Sequence, residues 1–370
     1  MAPEEIYIGI DLGDAWTQIS YYRPDMEDAE TVSTVVGEER YRIPTVSYRK
    51  QENGEELLGQ FLRRVICLVP GITEPREASA VTFYLPHICM EDISLLKRLM
   101  EQMEIPVERV FFQDDKESFC HFALNQKKGL ALHDMVLFRC EGNALSCLYL
   151  TRGGKSTPQK IEITARTLGQ LPEDSGERDR YFAEAATEVL TGKIVSSIYL
   201  TGEGLEGGWL KDSLTILCRG RKVFQGRNLY TRGACFESFM QMHKEKCSYI
   251  FLNEYKLAKN IMLQVKQQDR TFFKELAEAG NYCYEVNGSC EVLLSGEPFV
   301  DIWLKAPDSN QARVESLELT ELPKRPDKAT RLLVEAVPSG VTQVVIRITD
   351  LGFGPWYASS GKVWEYCIDE

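Results

Sequence analysis

The sequence predicts an α/β region that is followed by an all-β C-terminal domain. Over the first 246 residues or so, apolar runs that read as strands alternate with amphipathic helical segments, which is typical of an α/β domain. After residue 246 the segments are short and alternate apolar with polar residues. Pro, Gly, Asn and Asp separate these segments. This second pattern predicts antiparallel strands in a sandwich or barrel.

Composition sets the broad class of the protein. The chain has 370 residues, of which 44% are hydrophobic and 26% charged, so more than one folded domain is expected. The net charge of −12 argues against a general affinity for nucleic acid or anionic membrane, because both need a basic surface. The N-terminus has no basic and apolar leader pattern, and no apolar run has the length of a membrane span. A cytoplasmic protein is therefore expected.

Cysteine and histidine usage gives no indication of a metal site. The 11 cysteines occur singly and never as a CxxC pair, which is typical of reduced thiols in a cytoplasm. The four histidines are isolated from one another in the sequence, so a structural role is expected for each and no metal is predicted. They are His87, His121, His133 and His243.

The first part of the α/β region begins with a strand, a tight turn and a second strand over residues 6–22. Ile6, Ile8 and Ile10 alternate with other residues, and residues 11–14 form the turn. The following elements are predicted to be a strand at 42–48, a helix at 55–65, a strand at 80–85, a helix at 90–103, a strand at 109–112 and a helix at 116–126.

The second part of the region starts with a hairpin of the same plan over residues 135–150. A helix at 176–190, a strand at 197–200, a glycine-rich turn at 202–208 and a last helix at 230–242 are predicted to follow. A repeated hairpin indicates that the α/β region is duplicated. We therefore expect a first half at 1–130, a second half at 131–246 and a β-rich domain at 247–370.

Taken in order over residues 5–243, these segments resemble the Hsp70/actin-like ATPase superfamily. The segments that carry the resemblance are Gly9-Ile10-Asp11-Leu12-Gly13 for the first phosphate loop, residues 42–46 for an early strand, residues 110–123 for the segment that ends in the family's central helix, residues 135–150 for the second phosphate hairpin, residues 198–208 for the adenosine loop, and Tyr230-Thr231-Arg232-Gly233-Ala234 for the closing helix.

The resemblance implies a duplicated actin-like ATPase fold with ribonuclease H-like halves around a nucleotide cleft. Residues 67–79 and 151–193 are short where the family has outer subdomains, so these subdomains are expected to be reduced. ATP or ADP is the cofactor that the resemblance implies. The candidate cleft residues are Asp11, Gly13, Asp14, Arg139, Gly142, Gly202, Gly204 and Gly233.

The second hairpin departs from the family pattern, because Arg139 stands where the family has an aspartate. This substitution reverses the local charge, so Mg²⁺ coordination is expected to fail there. Arg139 could neutralise a phosphate directly or pair with Asp11 across the cleft, and we favour the pair. Asp114 is the candidate catalytic carboxylate if the protein is active. Its position before Asp115 and Lys116 also suits a helix N-cap, which we favour.

From the resemblance and the altered hairpin, the expected function is that of a non-catalytic Hsp70-like pseudo-ATPase that binds or scaffolds proteins or peptides. The alternative is a nucleotide-dependent Hsp70-like chaperone or switch with ATP in the cleft, and a third option is an actin-like filament protein. Nucleic acid and membrane are not expected as partners.

Overall fold

The computed structural model describes residues 5–35, 40–49, 51–127, 129–153, 159–244, 248–268, 270–307, 309 and 311–368. The chain forms two compact units, an N-terminal unit (Met1–Phe251) and a C-terminal unit (Leu252–Glu370). The division falls after Phe251 and not after residue 246, because a short strand at Tyr249–Phe251 pairs within the N-terminal unit. Cys247 lies outside the described residues.

The first half of the N-terminal unit is a sheet with helices beside it. The strand order is β3-β2-β1-β5-β6, and β4 pairs with β2 outside this path. β1 is antiparallel to β2 and parallel to β5, which is parallel to β6. The elements are β1 (Tyr7–Leu12), β2 (Trp16–Tyr22), β3 (Glu30–Thr31), β4 (Ile43–Pro44), α1 (Gly54–Ile66), β5 (Ala80–Tyr84), α2 (Met90–Gln102), β6 (Val110–Gln113) and α3 (Asp115–Leu124).

The second half repeats this plan in the order β9-β8-β7-β10-β11, with one further strand, β12, beside β9. An antiparallel meander is again extended by two parallel strands. The elements are β7 (Asp134–Glu141), β8 (Ala144–Arg152), β9 (Gln159–Gln170), α4 (Ser175–Leu190), β10 (Val195–Thr201), α5 (Asp212–Leu217), β11 (Lys222–Gln225), α6 (Leu229–Met242) and β12 (Tyr249–Phe251).

The core of the N-terminal unit explains why its central strands are nearly continuous apolar runs. Ile8 and Ile10 of β1 and Val136 and Phe138 of β7 are fully buried, as expected for strands covered on both faces. No helix in the described part of the chain is long and apolar enough to cross a bilayer.

The C-terminal unit consists of two four-stranded antiparallel sheets, ordered β14-β13-β16-β17 and β15-β18-β19-β20. Both sheets contribute buried side chains to one apolar cluster, among them Leu263, Ile302, Val334 and Ile346. The prediction of a β-rich region after the α/β region is confirmed. The strands are β13 (Asn260–Gln267), β14 (Arg270–Ala277), β15 (Ser289–Leu293), β16 (Phe299–Lys305), β17 (Arg313–Glu318), β18 (Arg331–Pro338), β19 (Val344–Gly352) and β20 (Val363–Cys367).

Candidate functional site

A cavity of about 980 Å³ lies between the two halves of the N-terminal unit. A cavity of this volume is large enough for a nucleotide-sized ligand. Its described lining comes from both halves and consists of Trp16, Gln18, Thr34, Val35, Arg40, Tyr41, Arg42, Pro44, Leu200, Thr201, Gly202, Glu206, Gln225, Gly226, Arg227, Asn228 and Arg232.

Strand geometry and strand ends bring these residues together. Trp16 and Gln18 are two positions apart on β2, so their side chains lie on the same face of that strand. On the other side, β10 ends at Thr201 and its parallel neighbour β11 ends at Gln225. The first turn of α6 supplies Arg232. The carboxyl ends of parallel strands are where α/β folds commonly bind ligands.

The described lining is strongly basic, although the chain as a whole is acidic. Arg40, Arg42, Arg227 and Arg232 line the cavity with one described acid, Glu206, so the lining groups sum to 4 − 1 = +3. The carboxylates of Glu203 and Asp28, which pair with Arg42 and Arg232 from outside the lining, reduce this sum to 4 − 3 = +1. The chain carries a net charge of −12. A concentration of guanidinium groups in such a chain favours an anionic ligand.

Ion pairs hold three of these arginines in place. Arg42 bonds Glu203 at 2.8 Å, and this pair joins the first half to the second. Arg227 pairs with Glu206, and Arg232 pairs with Asp28. Because the Glu203 side chain is 66% exposed, its pair with Arg42 is weak and can yield to a ligand anion.

Gln18 supplies a polar group that the folded chain does not satisfy. The residue is 6% exposed, and its Oε1 has no hydrogen-bond partner among the described residues. A buried polar atom without a partner is costly unless a ligand or water bonds it. The Trp16 side chain lines the same cavity and is 47% exposed, so a planar group could stack on it.

Asp11 lies in β1, one residue before its end, and not in the turn that was predicted at residues 11–14. It is not among the described residues that line the cavity. Burial raises the pKa of Asp11 to about 7, and the positive charge of Arg42 offsets part of this shift. The arginine that acts on the Asp11 carboxyl is therefore Arg42 of the first half, and not Arg139 of the second half.

Arg139 is paired differently from the prediction. It lies in β7, and its guanidinium bonds Asp115 at 3.1 Å instead of Asp11. Asp115 is the first residue of α3. It is 24 positions from Arg139 in the sequence, and the fold brings the two side chains together. Next to this pair, the Tyr84 and Tyr230 rings stack with centroids 4.5 Å apart.

The first predicted loop is a tight turn with an exposed acid. The Gly13 N–H donates to the Trp16 carbonyl at 3.1 Å, and a Cβ at Gly13 would lie 2.7 Å from that oxygen. The Asp14 side chain is 87% exposed and pairs with Arg49. The turn itself therefore favours glycine at position 13, because a side chain there would collide with the Trp16 carbonyl.

The other predicted glycines mainly allow close packing. A Cβ at Gly202, where φ is +95°, would lie 2.2 Å from the Cys140 carbonyl oxygen, and one at Gly204 would meet the Gly142 carbonyl. The loop after β10 therefore packs directly on the β7–β8 hairpin, whose turn contains Gly142. A Cβ at Gly233 would lie 2.1 Å from the Ser118 carbonyl oxygen, so Gly233 lets α6 cross α3 closely. Of these four glycines, Gly202 also lines the cavity.

Asp114 is the N-cap of α3. Its carboxyl accepts a hydrogen bond from the Glu117 N–H at 2.8 Å, which confirms the cap. Burial raises the pKa of Asp114 to about 7, and the negative charge of Glu117 adds to this shift. A carboxyl that titrates near neutral pH is suited to acid–base chemistry.

The sequence interpretation missed most of the cavity, above all its arginines. Arg40 and Arg42 come directly before the Ile43-Pro44 strand, and Arg227 comes directly before α6. The detectable signal was a set of arginines next to the recognised segments in an acidic chain. The motifs that carry the resemblance consist mainly of glycines and carboxylates, so they give no indication of these arginines.

Two family models match the chain, and the boundary between them lies close to the boundary between the two structural units. One, described as the C-terminal part of a family of unknown function (DUF5716), matches residues 49–254. The other, a domain of unknown function (DUF8552), matches residues 256–369. No curated protein matches the chain by sequence.

Solved structures that resemble the chain include sugar kinases of the ROK family, which have the actin-like ATPase fold. A ROK hexokinase from Thermus thermophilus is 12% identical with a TM-score of 0.42, over 65% of this chain and 99% of that one. An inorganic polyphosphate/ATP-glucomannokinase from Arthrobacter sp. strain KM is 14% identical with a TM-score of 0.41, over 64% and 99%. A ROK family glucokinase from Streptomyces griseus, in complex with glucose and AMPPNP, is 11% identical with a TM-score of 0.40, over 64% and 99%.

These findings correct the predicted function. The solved structures named here are described as sugar kinases. The prediction of a non-catalytic Hsp70-like scaffold is therefore wrong, and so is its alternative of an Hsp70-like chaperone or switch. The mixed α/β fold followed by a β-rich region stands.

Proposed function

The chain belongs to the family of unknown function DUF5716, matched in its C-terminal part, and we propose that its N-terminal unit binds a phosphorylated, nucleotide-class ligand in the cavity between its two halves. The observation that carries this proposal is the set of four arginines around a cavity of about 980 Å³. Guanidinium groups bind phosphate oxygens in a bidentate manner, and their hydrogen bonds are assisted by charge.

The cavity also offers contacts for the uncharged part of such a ligand. The exposed face of Trp16 suits a planar base, and the unpartnered Oε1 of Gln18 can accept a hydrogen bond from an exocyclic amine. Together these features favour a ligand with an aromatic end and an anionic end.

Calorimetric titration of the full-length chain with ATP, ADP, adenosine and inorganic pyrophosphate tests the proposal. ATP and ADP are expected to bind more tightly than adenosine, because the phosphates meet the arginines. Arg42→Gln and Arg227→Gln should each weaken ATP binding about tenfold, or about 1.4 kcal/mol.

Arg98→Gln is the matched control, because Arg98 makes a comparable ion pair with Glu55 on the surface of α1 and α2, outside the cavity. It should bind ATP as the unmodified chain does. Equal ATP affinity in Arg42→Gln, Arg227→Gln and Arg98→Gln would contradict the proposal, as would adenosine binding that matches ATP binding.

Phosphoryl transfer is a second candidate, favoured by the carboxyl of Asp114. Asp114 is 3% exposed and lies outside the described cavity lining, so this role requires the attacking hydroxyl to reach the start of α3. A pKa of about 7 would let the carboxyl accept the proton of that hydroxyl at neutral pH. Asp114→Asn is then expected to abolish ADP formation from ATP in the presence of a panel of small hydroxyl compounds, while ATP binding is kept. ADP formation that persists in Asp114→Asn would exclude this role.

Two finer features are proposals as well. We take the C-terminal unit to be a β-sandwich, which the shared apolar core of its two sheets supports. A cytoplasmic location is supported by the scattered cysteines without CxxC pairs.

A further inference from the structure

Where α3 and α6 cross, three buried ionisable side chains meet. Glu117 and His121 are four residues apart on α3 and therefore lie on one face of that helix. Glu237 approaches them from α6. The three residues are 0%, 4% and 1% exposed, respectively. Carboxylates and imidazoles are rarely buried together without a cation or a strong hydrogen-bond network.

The donor atoms of these side chains converge on one point. One ligand atom from each residue lies within 4.8 Å of the others. His121 Nε2 is 2.6 Å from Glu237 Oε2 and 3.8 Å from Glu117 Oε1. Despite the short distance to Glu237, Nε2 makes no hydrogen bond of acceptable geometry with a described residue. Nε2 is therefore closest to Glu237 and lies within ion-pair distance of both carboxylates.

Two further polar atoms of the cluster, His121 Nδ1 and Glu237 Oε1, are held by neighbouring side chains. His121 Nδ1 lies 2.7 Å from the Tyr249 hydroxyl, to which Asn125 Nδ2 donates at 3.1 Å. Gln241 Nε2 donates to Glu237 Oε1 at 2.7 Å. In metalloproteins, a ligating histidine commonly uses its other ring nitrogen in this manner, and the ligating carboxylates are also hydrogen-bonded.

We propose that Glu117, His121 and Glu237 form a binding site for one divalent first-row transition cation, with Zn²⁺ as its reference occupant. One imidazole nitrogen and two carboxylates are a donor set that Zn²⁺ and Mn²⁺ accept. The site joins α3 of the first half to α6 of the second half. Its role is to fasten the two helices at the centre of the N-terminal unit, apart from the cavity lining, and it does not depend on the proposed ligand.

Binding of Co²⁺ and Zn²⁺ to the chelator-treated, full-length chain tests the site. We expect one equivalent of cation per chain and a higher Tm in its presence. The Co²⁺ complex should show ligand-field bands without the intense thiolate-to-cobalt absorption that cysteine ligands would give. This spectrum separates the site from adventitious binding by the cysteines.

His121→Asn and Glu237→Gln should each lower the Zn²⁺ affinity at least tenfold. His133→Asn is the matched control, because His133 is exposed and should leave the affinity unchanged. Tyr249→Phe keeps the ring but removes the hydroxyl next to Nδ1, and a loss of about tenfold to 100-fold is expected. If His121→Asn fails to fold, Glu237→Gln and Tyr249→Phe decide the question.

The proposal is overturned if the unmodified chain binds neither cation, which would leave His121 as a protonated partner of the two glutamates. Equal Zn²⁺ affinity in the unmodified chain, Glu237→Gln and Tyr249→Phe would overturn it too, as would a cobalt spectrum with thiolate bands. Loss of binding in the cluster variants together with retention in His133→Asn supports it.

Discussion

Asp350 of the C-terminal unit and Asp11 of the N-terminal unit both lie near the end of a strand, but their surroundings shift their pKa values in opposite directions. Hydrogen bonds from Arg325 hold the pKa of Asp350 well below its ordinary value. Burial raises the pKa of Asp11 to about 7 in spite of Arg42. The difference shows that the number of donors around a buried carboxyl, more than burial, decides its charge.

The Asp350 site is a complete hydrogen-bond network. Arg325 donates twice to its carboxylate, at 2.7 and 2.8 Å. The Gly352 N–H, the Ser360 N–H and the Ser360 hydroxyl donate as well. The Arg325 and Asp350 side chains are 5% and 0% exposed. This pattern is typical of a structural ion pair, whereas a carboxyl such as Asp11, with a pKa near 7, is typical of a functional site.

Removing the arginine should have the largest effect on stability. Arg325→Met is expected to destabilise the C-terminal unit by roughly 3–5 kcal/mol, because it leaves a buried carboxylate without its cation. Calorimetric unfolding of the full chain at pH 7 measures this loss. Arg331→Met, which breaks the exposed pair with Glu291, is the control and should cost less than about 1 kcal/mol. Similar losses for both variants would show that the two pairs do not differ.

The carboxyl of Asp11 should produce an effect of the opposite sign. Since its folded-state pKa of about 7 is above the ordinary value of 3.8, the unfolded chain ionises first. Its contribution therefore lowers stability as the pH rises from about 4 through 7. Asp11→Asn should remove this fall and stabilise the N-terminal unit at pH 8 by on the order of 3 kcal/mol, allowing for its partial exposure.

Thermal unfolding at pH 5 and pH 8 measures the change, with Asp14→Asn as the control on the neighbouring exposed turn. The control should keep the pH dependence of the unmodified chain. If Asp11→Asn keeps it as well, Asp11 is ionised in the folded protein at pH 5 and the contrast with Asp350 disappears.

Asp179 of α4 is a milder case of a satisfied carboxylate. It accepts hydrogen bonds from the Lys211, Asp212 and Ser213 N–H groups and from the Ser213 hydroxyl, so it caps α5 from a distant part of the sequence. Burial opposes ionisation, but these bonds outweigh it and lower the pKa of Asp179.

Asp179→Ala is expected to cost about 1–2 kcal/mol at pH 7, because the first turn of α5 loses its acceptor. The difference from the unmodified chain should shrink as the pH falls below the ordinary pKa of aspartate, where the stabilising charge is lost. Urea unfolding at pH 7 and pH 3 measures it. A difference that grows on acidification would exclude this account.

Local patterns were sufficient for most elements of the N-terminal unit. The alternation before residue 22 predicted β1 and β2, and the helical spacing at 90–103 predicted α2. These elements could be predicted because each buries one recognisable apolar face. Short strands such as β11 and β12 were missed, since a strand of three or four residues leaves too short a pattern.

The segment at 255–274 shows the same limit in the C-terminal unit. Its sequence pattern is ambiguous between helix and strand, and the structure places β13 and the start of β14 there. Its side chains on one face pack against the second sheet, so pairing partners far along the chain settled its conformation.

For the candidate site, single residues were easier to predict than their neighbours. The cap formed by Asp114 follows from the residues next to it, so the sequence was enough. The partner of Arg139 was predicted incorrectly, because the spatial neighbour of a strand end depends on how β7 lies against the start of α3. His121 was expected to have a structural role, but its partner was not predicted, because that glutamate is 116 positions away, since 237 − 121 = 116.

Short-range order in this chain thus comes from side-chain periodicity and from caps, which depend on residues within a few positions of one another. The cavity between the halves, the meeting of Glu117, His121 and Glu237, and the charge of each buried aspartate required the folded chain. Burial and donor number depend on residues from distant segments, and only packing brings these segments within hydrogen-bond distance.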